Sequence, residues 1–376
     1  MFLKDDERVA ICKACRDCPM CNIIDEVALY CGRESNNPRG RAMMLWGIET
    51  GRLSWEDEGV ADVLYKSLLD GLPLEWCAGN YDLDELVIWG RSKLVEKDLA
   101  PRTVRLVSEA VKGSGNPFSD GNGNTSEIVE QGGGFVGGEP EVLLYFGSTA
   151  RIKRPQAAVS LVRILRKAGI PFEVLGDECD SGFLLYQLGD FDSMVAQAKR
   201  VCGMVENLRA KKLVTLSASA YRMFTTRYPR FGMQLPGGME VLHVSEYLAG
   251  LVKEGRLSIK KQNGKSVTYH DPACLVRYID VTGPPRALLE VRFGTQLVEM
   301  EHNRSMAGPA GETGGLSFTY PEIAGAVAKK RVQEAKRTGA EIIASSDPFC
   351  EEMLCGPAKE EGVEVKDIVE LVDSAV

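Results

Sequence analysis

The chain has 376 residues, enough for two or three domains, and its 44% hydrophobic and 26% charged content excludes a disordered polypeptide. Lys and Arg number 45 against 53 Asp and Glu, a net charge of −8, which argues against a duplex nucleic-acid binder whose affinity rests on clustered cations. No apolar run reaches ~18 residues, so no transmembrane helix is expected, and the opening Met1-Phe2-Leu3-Lys4-Asp5-Asp6-Glu7-Arg8 is too charged for a secretory signal. The expectation is a cytoplasmic protein, or one peripheral to a membrane through its partners.

The first segment, 1–112, reads as helical. Val60, Val63, Leu64, Leu68 and Leu69 recur at three and four and predict an amphipathic helix over 59–72. A second is predicted over 84–97. Five of the eleven cysteines crowd between Cys12 and Cys31. An odd total without an export signal argues against a disulfide framework. With only His243, His270 and His302 as imidazoles, a metal site here must be thiolate-based.

Cys12, Cys15, Cys18 and Cys21 form successive C-x-x-C steps that wrap one compact centre. A [4Fe–4S] cubane takes three ligands from such a loop and a fourth from a remote segment. Structural zinc more often uses two separated C-x-x-C pairs, and reduced surface thiols are the third reading. Cys77, in a corner between two predicted helices, is the first candidate for the remote ligand. Cys31, closer to the triple, is the second.

Residues 113–140 are dominated by glycine, broken by asparagine, serine and proline, and read as a linker or strap. From 141 onward strands and helices alternate, the pattern of a parallel sheet covered by helices. Strands are predicted at 142–146, 172–175 and 212–216, and helices over 155–168 and 191–208. An internal repeat pairs Leu144-Tyr145-Phe146-Gly147-Ser148 with Thr268-Tyr269-His270-Asp271-Pro272, and the run 211–217 with 339–345. Two α/β units, 141–240 and 265–376, should face each other outside the carboxyl ends of their strands.

The run Cys15-x2-Cys18-x2-Cys21-x3-Asp25, followed by Asn37-Pro38-Arg39-Gly40-Arg41, resembles the two-cluster ferredoxin domain of the heterodisulfide reductase D-subunits and the glycolate oxidase iron–sulfur subunits. The resemblance implies that Asp25 stands at a lost cross-ligand, that Cys77 matches the last cysteine of a second motif whose first three are missing, and that Cys15, Cys18, Cys21 and Cys77 form the one complete ligand set. Cys12 lies outside the pattern and could only substitute. The two α/β units resemble the family's paired cysteine-rich "CCG" domains. Asp177-Glu178-Cys179 matches the first CCG with one cysteine kept, and Ser148 and Ser217-Ala218-Ser219-Ala220 stand at further cysteine positions. In the second unit His270-Asp271-Pro272-Ala273-Cys274, Pro309-Ala310-Gly311-Glu312-Thr313-Gly314-Gly315 and Asp347-Pro348-Phe349-Cys350 stand where the family's motifs fall. These departures imply no cluster in either CCG unit.

The implied architecture is α+α/β: a helical ferredoxin-like domain with one [4Fe–4S] cluster, then two degenerate CCG-type parallel-sheet domains. The implied function is an electron-transfer subunit of a multi-subunit oxidoreductase, working with flavoprotein or other iron–sulfur subunits and with no catalytic residues of its own. A non-catalytic scaffold is one alternative. A thiol–disulfide reductase using Cys179, Cys274 or Cys350 is the other, against the plainer reading of these and of Cys202 and Cys355 as small buried hydrophobes. His270 and His302 read as structural residues or proton relays. Gly311, Gly314 and Gly315 read as turn formers or as places where backbone approaches a ligand, and Arg39 and Arg41 as a turn or a contact to a cluster or partner.

Overall fold

The computed structural model describes residues 4–118, 121, 123–261, 265–294 and 297–376. Among these, helices are the only regular elements as far as residue 131. The principal ones are Asp5–Cys15, Pro38–Glu49, Leu83–Glu96 and Arg102–Ser114. The helix predicted over 84–97 is present, N-capped by the Asp82 side chain accepting from Glu85 N–H.

The helix predicted over 59–72 is not continuous. It runs only over Val60–Tyr65, and a short turn, Leu72–Glu75, resumes after a gap. The reason is tertiary. The carbonyls of Lys66, Ser67, Leu69 and Asp70 are taken by the side chains of Arg41, Arg91, Gln187 and Arg277. The backbone is thereby held as a buried strap, with Leu69 at φ 52°. Gly314 packs onto this strap so closely that a Cβ there would stand 2.1 Å from the Ser67 carbonyl oxygen.

The glycine-rich stretch contains a helix the composition hid, Thr125–Gln131, capped by Asn124. Its Ile128 and Val129 are buried, and the Thr125 hydroxyl donates to the carbonyls of Leu175 and Gly176.

Two parallel sheets follow. The first holds β1 (Val142–Tyr145), β2 (Phe172–Val174), β3 (Lys212–Thr215) and β4 (Glu240–His243) in the order β2-β1-β3-β4. The second holds β5 (Val267–Tyr269), β6 (Ile342–Ser345) and β7 (Glu364–Asp367) in the order β5-β6-β7, and Leu297 forms a parallel bridge to Val267 where the first sheet has β2. The halves thus share one topology. Thr295 and Gln296, between helix Gly283–Phe293 and this bridge, lie outside the described residues.

The structure shifts the repeat by two residues at its second match. Ser217 corresponds to Asp347 and not to Ser345: each lies two residues past the end of β3 or β6 and caps the next helix. A two-residue slip preserves which side chains face which side, so the strand pattern alone cannot detect it. β4 and β7 escaped the sequence reading because each begins and ends on a polar residue, Glu240 and His243 or Glu364 and Asp367, and so offers no continuous apolar run. β7, at the edge of its sheet, turns charged residues to its more exposed face, as edge strands often do.

β1 is buried on both faces. Leu143 and Tyr145 pack into a core shared with the N-terminal helices, while Val142 and Leu144 pack into a core shared with the second half. That second core includes Val267, Ile342 and Ile368. The last helix, Ile368–Asp373, packs on the first half's helix Pro155–Lys167, and Val244–Lys253 packs on the second half's Gly283–Phe293. Arg91 ties the three parts together. Fully buried, it donates to the carbonyls of Leu64, Tyr65 and Ser67, of Gln187 in the first half and of Gly314 in the second. No described helix is long and apolar enough to cross a membrane.

Candidate functional site

The cysteine corner is built by short-range structure. Helix Asp5–Cys15 ends at Cys15, and the next turn closes with Cys18 N–H donating to the Cys15 carbonyl at 3.2 Å. A 3-10 turn, Met20–Ile23, then presents Cys21. From the other side, the turn after Leu72–Glu75 presents Cys77. Asn80 N–H donates to the Cys77 carbonyl at 3.0 Å, with Asn80 at φ 54°, and Tyr81 N–H donates to Cys77 Sγ at 3.4 Å.

Cys15, Cys18, Cys21 and Cys77 line one cavity of about 180 Å³, together with Ala14, Met20, Arg39 and Tyr81. Burial first, and then the fields of Cys77, Cys21, Cys18 and Cys12, push the Cys15 thiol up to about 12. Cys21 is pushed up to about 11, by burial first and with Cys18 and Cys77 among the further causes. Without a cation between the sulfurs, burial and the neighbouring thiols hold Cys15 and Cys21 protonated; positive charge at the centre would invert that balance. Among the described residues no three His, Cys, Asp or Glu side chains close around a point as a single ion requires. The four thiols surround a void instead.

Cys12 is fully buried in the hydrophobic core and does not line the cavity. Cys31 packs beside the small cluster of Val27, Leu68 and Leu316, also away from it. Asp25 caps helix Glu26–Cys31 by accepting from Ala28 N–H, and its other oxygen pairs with the buried Arg41 guanidinium at 2.6 Å. The motif around it is structural for the same reason. Asn37 caps helix Pro38–Glu49, and a Cβ on Gly40 would stand 2.1 Å from the Glu34 carbonyl oxygen. Arg39 alone of that motif reaches the cysteine cavity. Tyr81, whose N–H meets Cys77, carried no signal in the sequence.

The second cavity, narrow at about 50 Å³, lies between the two α/β halves, outside the carboxyl ends of their strands. Ser148, Asp180, Ser217, Cys274, Glu312 and Asp347 are among its walls. The Asp347 carboxylate accepts from Cys350 N–H on its own helix and from Ala218 N–H across the interface. Cys179 and Cys350 do not line this cavity, and burial pushes both thiols up, Cys179 to about 11. The Cys274 thiol is pushed up to about 12, again by burial. Thiols held protonated in this way are poor nucleophiles.

His270 is buried, accepts at Nδ1 from Arg331, and is kept neutral by burial and by the neighbouring guanidiniums. His302 pairs with Glu334 at 3.0 Å. Neither lines the cysteine cavity or the cavity between the halves. Gly311, Gly314 and Gly315 form the loop that packs on the strap and on helix Phe183–Leu188.

Residues 267–355 match the CCG cysteine-rich domain. The chain is 34% identical over 247 residues to the probable iron-sulfur-binding oxidoreductase FadF of Bacillus subtilis, covering 64% of this chain and 34% of that protein. It is also 34% identical over 245 residues to the D-subunit of dihydromethanophenazine:CoB--CoM heterodisulfide reductase of Methanosarcina mazei, covering 63% of this chain and 59% of that one. The chain therefore spans between a third and three fifths of the length of these relatives. A hypothetical protein from Helicobacter pylori shares the fold at a TM-score of 0.60 and 9% identity, over 91% of this chain and 68% of that one. The chain thus carries a match to the CCG cysteine-rich domain over 267–355 and is similar along 63–64% of its length to FadF and to the D-subunit of heterodisulfide reductase.

Proposed function

We propose that this chain is an electron-transfer subunit that holds one [4Fe–4S] cluster through Cys15, Cys18, Cys21 and Cys77. The observation that carries the reading is the single cavity these four residues line, with their sulfurs in one another's field. A zinc site, with Zn–S near 2.3 Å, would draw its thiolates to within about 4 Å of one another, whereas these surround a void suited to a polynuclear cluster. Such a cluster, when bound, accepts and releases single electrons. The chain's own residues do the rest. Tyr81 N–H donates to one thiolate, Arg39 places a cation beside an anionic centre, and Met20 shields its rim.

The working units in this reading are the helical domain 1–112, the strap 113–140, and the two CCG-type domains 141–240 and 265–376. The CCG pair carries no cluster, because Ser148, Ser217, Glu312 and Asp347 supply oxygen where thiolates would be needed. The protonated state of Cys179, Cys274 and Cys350 disfavours the thiol–disulfide reductase alternative. The partners are redox subunits, flavoprotein or iron–sulfur, in keeping with relatives named as an iron-sulfur-binding oxidoreductase and as part of a heterodisulfide reductase. The place of work is the cytoplasm, free or peripheral to a membrane.

Iron quantitation and low-temperature EPR on anaerobically purified protein test this. About four irons per chain are expected, lost in Cys77→Ala and kept in Cys12→Ala and Cys31→Ala. About eight irons, a noncubane signal or stoichiometric zinc would overturn it.

A further inference from the structure

We propose that the groove between the cysteine corner and the second α/β half binds a small organic carboxylate carried on an aromatic or branched apolar body. The inference does not rest on the electron-transfer reading, because no cysteine lines this groove.

The groove holds about 370 Å³, room for a small molecule. One wall comes from the segments that carry the cysteines. Ile23 stands two residues after Cys21, and Trp76 immediately before Cys77. Ile23 is 68% exposed and Trp76 38%. Leu72 continues this wall, and Met306 and Val327 add apolar surface from the second half. Single exposed apolar residues are ordinary, but large ones gathered around one roomy space mark a binding surface.

The polar wall favours an anion. Lys330, Arg331 and Arg337 bring three cations from helix Pro321–Arg337, against two carboxylates, Glu26 and Glu334. Lys330, Glu334 and Arg337 fall at i, i+4 and i+7, on one face of that helix. Both carboxylates are engaged through both oxygens. Glu26 accepts twice from Lys330 Nζ, at 2.9 and 2.7 Å. Glu334 accepts from His302 N–H at 2.8 Å and from Arg331 Nη1 at 2.6 Å. Among the described residues Arg337 has neither an ion pair nor a side-chain hydrogen bond, and the Lys330 ammonium keeps a third N–H beyond the two given to Glu26. Arg337 is thus the charge left over, in a chain whose net charge is −8.

These walls select the guest by elimination. A cation would have to compete with Lys330 or Arg331 for a carboxylate that each already holds. A neutral apolar molecule would draw nothing from Arg337. A bare inorganic anion would leave Trp76 and Ile23 in water. A carboxylate on an apolar body satisfies both surfaces: its oxygens accept charge-assisted bonds from Arg337, its carbon frame covers the indole and the isoleucine, and its single charge matches the single surplus cation.

The test is calorimetry on the full chain, purified with its metal content intact, titrated with 4-phenylbutyrate, 4-phenylbutanol, 4-phenylbutylamine and inorganic phosphate. 4-Phenylbutyrate is expected to bind saturably, at least about fivefold tighter than the alcohol or the amine, and to change a tryptophan fluorescence signal that is absent in Trp76→Phe. Arg337→Gln should weaken it about fivefold and Trp76→Ala about threefold, with far-ultraviolet dichroism of the variants unchanged. Arg337 is exposed and unpaired, so its substitution tests the charge without disturbing a buried contact. Equal binding of the alcohol or the amine overturns the proposal. So do displacement of 4-phenylbutyrate by equimolar phosphate, unchanged affinity in Arg337→Gln, a fluorescence change that persists in Trp76→Phe, or no saturable heat up to about 10 mM carboxylate. Iron per chain, read on the same samples, decides the cluster reading alone, so the two can fail separately.

Discussion

The cysteine corner and the cavity between the α/β halves both stand where the resemblance would place thiolates, and their walls are built in opposite ways. The corner keeps four cysteines around one void. The cavity keeps Cys274 alone among its walls and has gained carboxyls and hydroxyls. What replaced the lost thiols is informative. Both Ser217 and Asp347 stand before a helix and accept from its first turn, Ser217 from Ala220 N–H and Asp347 from Cys350 N–H. Helix starts at the end of a parallel strand leave N–H groups that need an acceptor. A residue placed before such a helix has a backbone to satisfy, so short oxygen side chains fit these positions. Asp347 does this twice, because it also receives Ala218 N–H from the other half. The corner differs: its cysteines sit on turns whose backbone closes on itself, so their thiols cap no helix.

The sharpest way to break the relation between the two regions is at the residue that joins them. Arg91 donates five hydrogen bonds to carbonyls from the helical segment and from both halves, and none of them goes to a carboxylate. Burial pulls its guanidinium down to about 10, with the Tyr65 field opposing. Arg91→Ala would orphan these buried carbonyls and open a cavity, which should cost about 4 kcal/mol or more. Arg91→Lys has three donors and should restore only part of this. Urea unfolding of the three proteins measures both. A loss below about 1 kcal/mol would show that the domains are joined elsewhere.

Arg91 also marks where the sequence falls silent. The corner was legible because C-x-x-C spacing is local, and because Cys77 had a motif to match. The helices over 84–97 and 155–168 were legible from their periodicity. The strap was not. Val60, Val63, Leu64, Leu68 and Leu69 keep helical spacing to the end, yet Arg41, Arg91, Gln187 and Arg277 capture the carbonyls that a helix would have used. Partners that are backbone atoms on distant segments leave no trace in residue type. The carboxyl character of the second cavity was half legible. Glu312 and Asp347 could be read as lost cysteines, but not that they would share one cavity with Asp180 and the unpartnered Thr313.

Asp25 sharpens the contrast within the corner. Its pair with Arg41 is almost wholly buried. Asp25→Asn keeps the helix cap but leaves the guanidinium without its counter-charge, and should cost about 3 kcal/mol by denaturant unfolding. Asp25→Cys asks the evolutionary question directly. The resemblance makes this position the cross-ligand of a cluster whose other three cysteines are absent, so iron per chain should not rise above the value of the unaltered protein.

The second cavity makes a weaker but signed prediction. Burial raises the Glu312 carboxyl to about 7, and Asp347 adds to it. A carboxyl that is more basic folded than unfolded favours folding while it is protonated. Its contribution is fully present below the ordinary value of 4.5 and is lost as pH climbs through about 7. The span corresponds to roughly 3 kcal/mol. Unfolding free energies measured from pH 4.5 to 7.5 should therefore fall less steeply in Glu312→Gln, which stays neutral throughout, than in the unaltered chain. The same slope should be untouched in Cys12→Ala, whose thiol lies in the apolar core away from this carboxyl's charge. An identical slope in Glu312→Gln would mean that the buried carboxyl is already compensated.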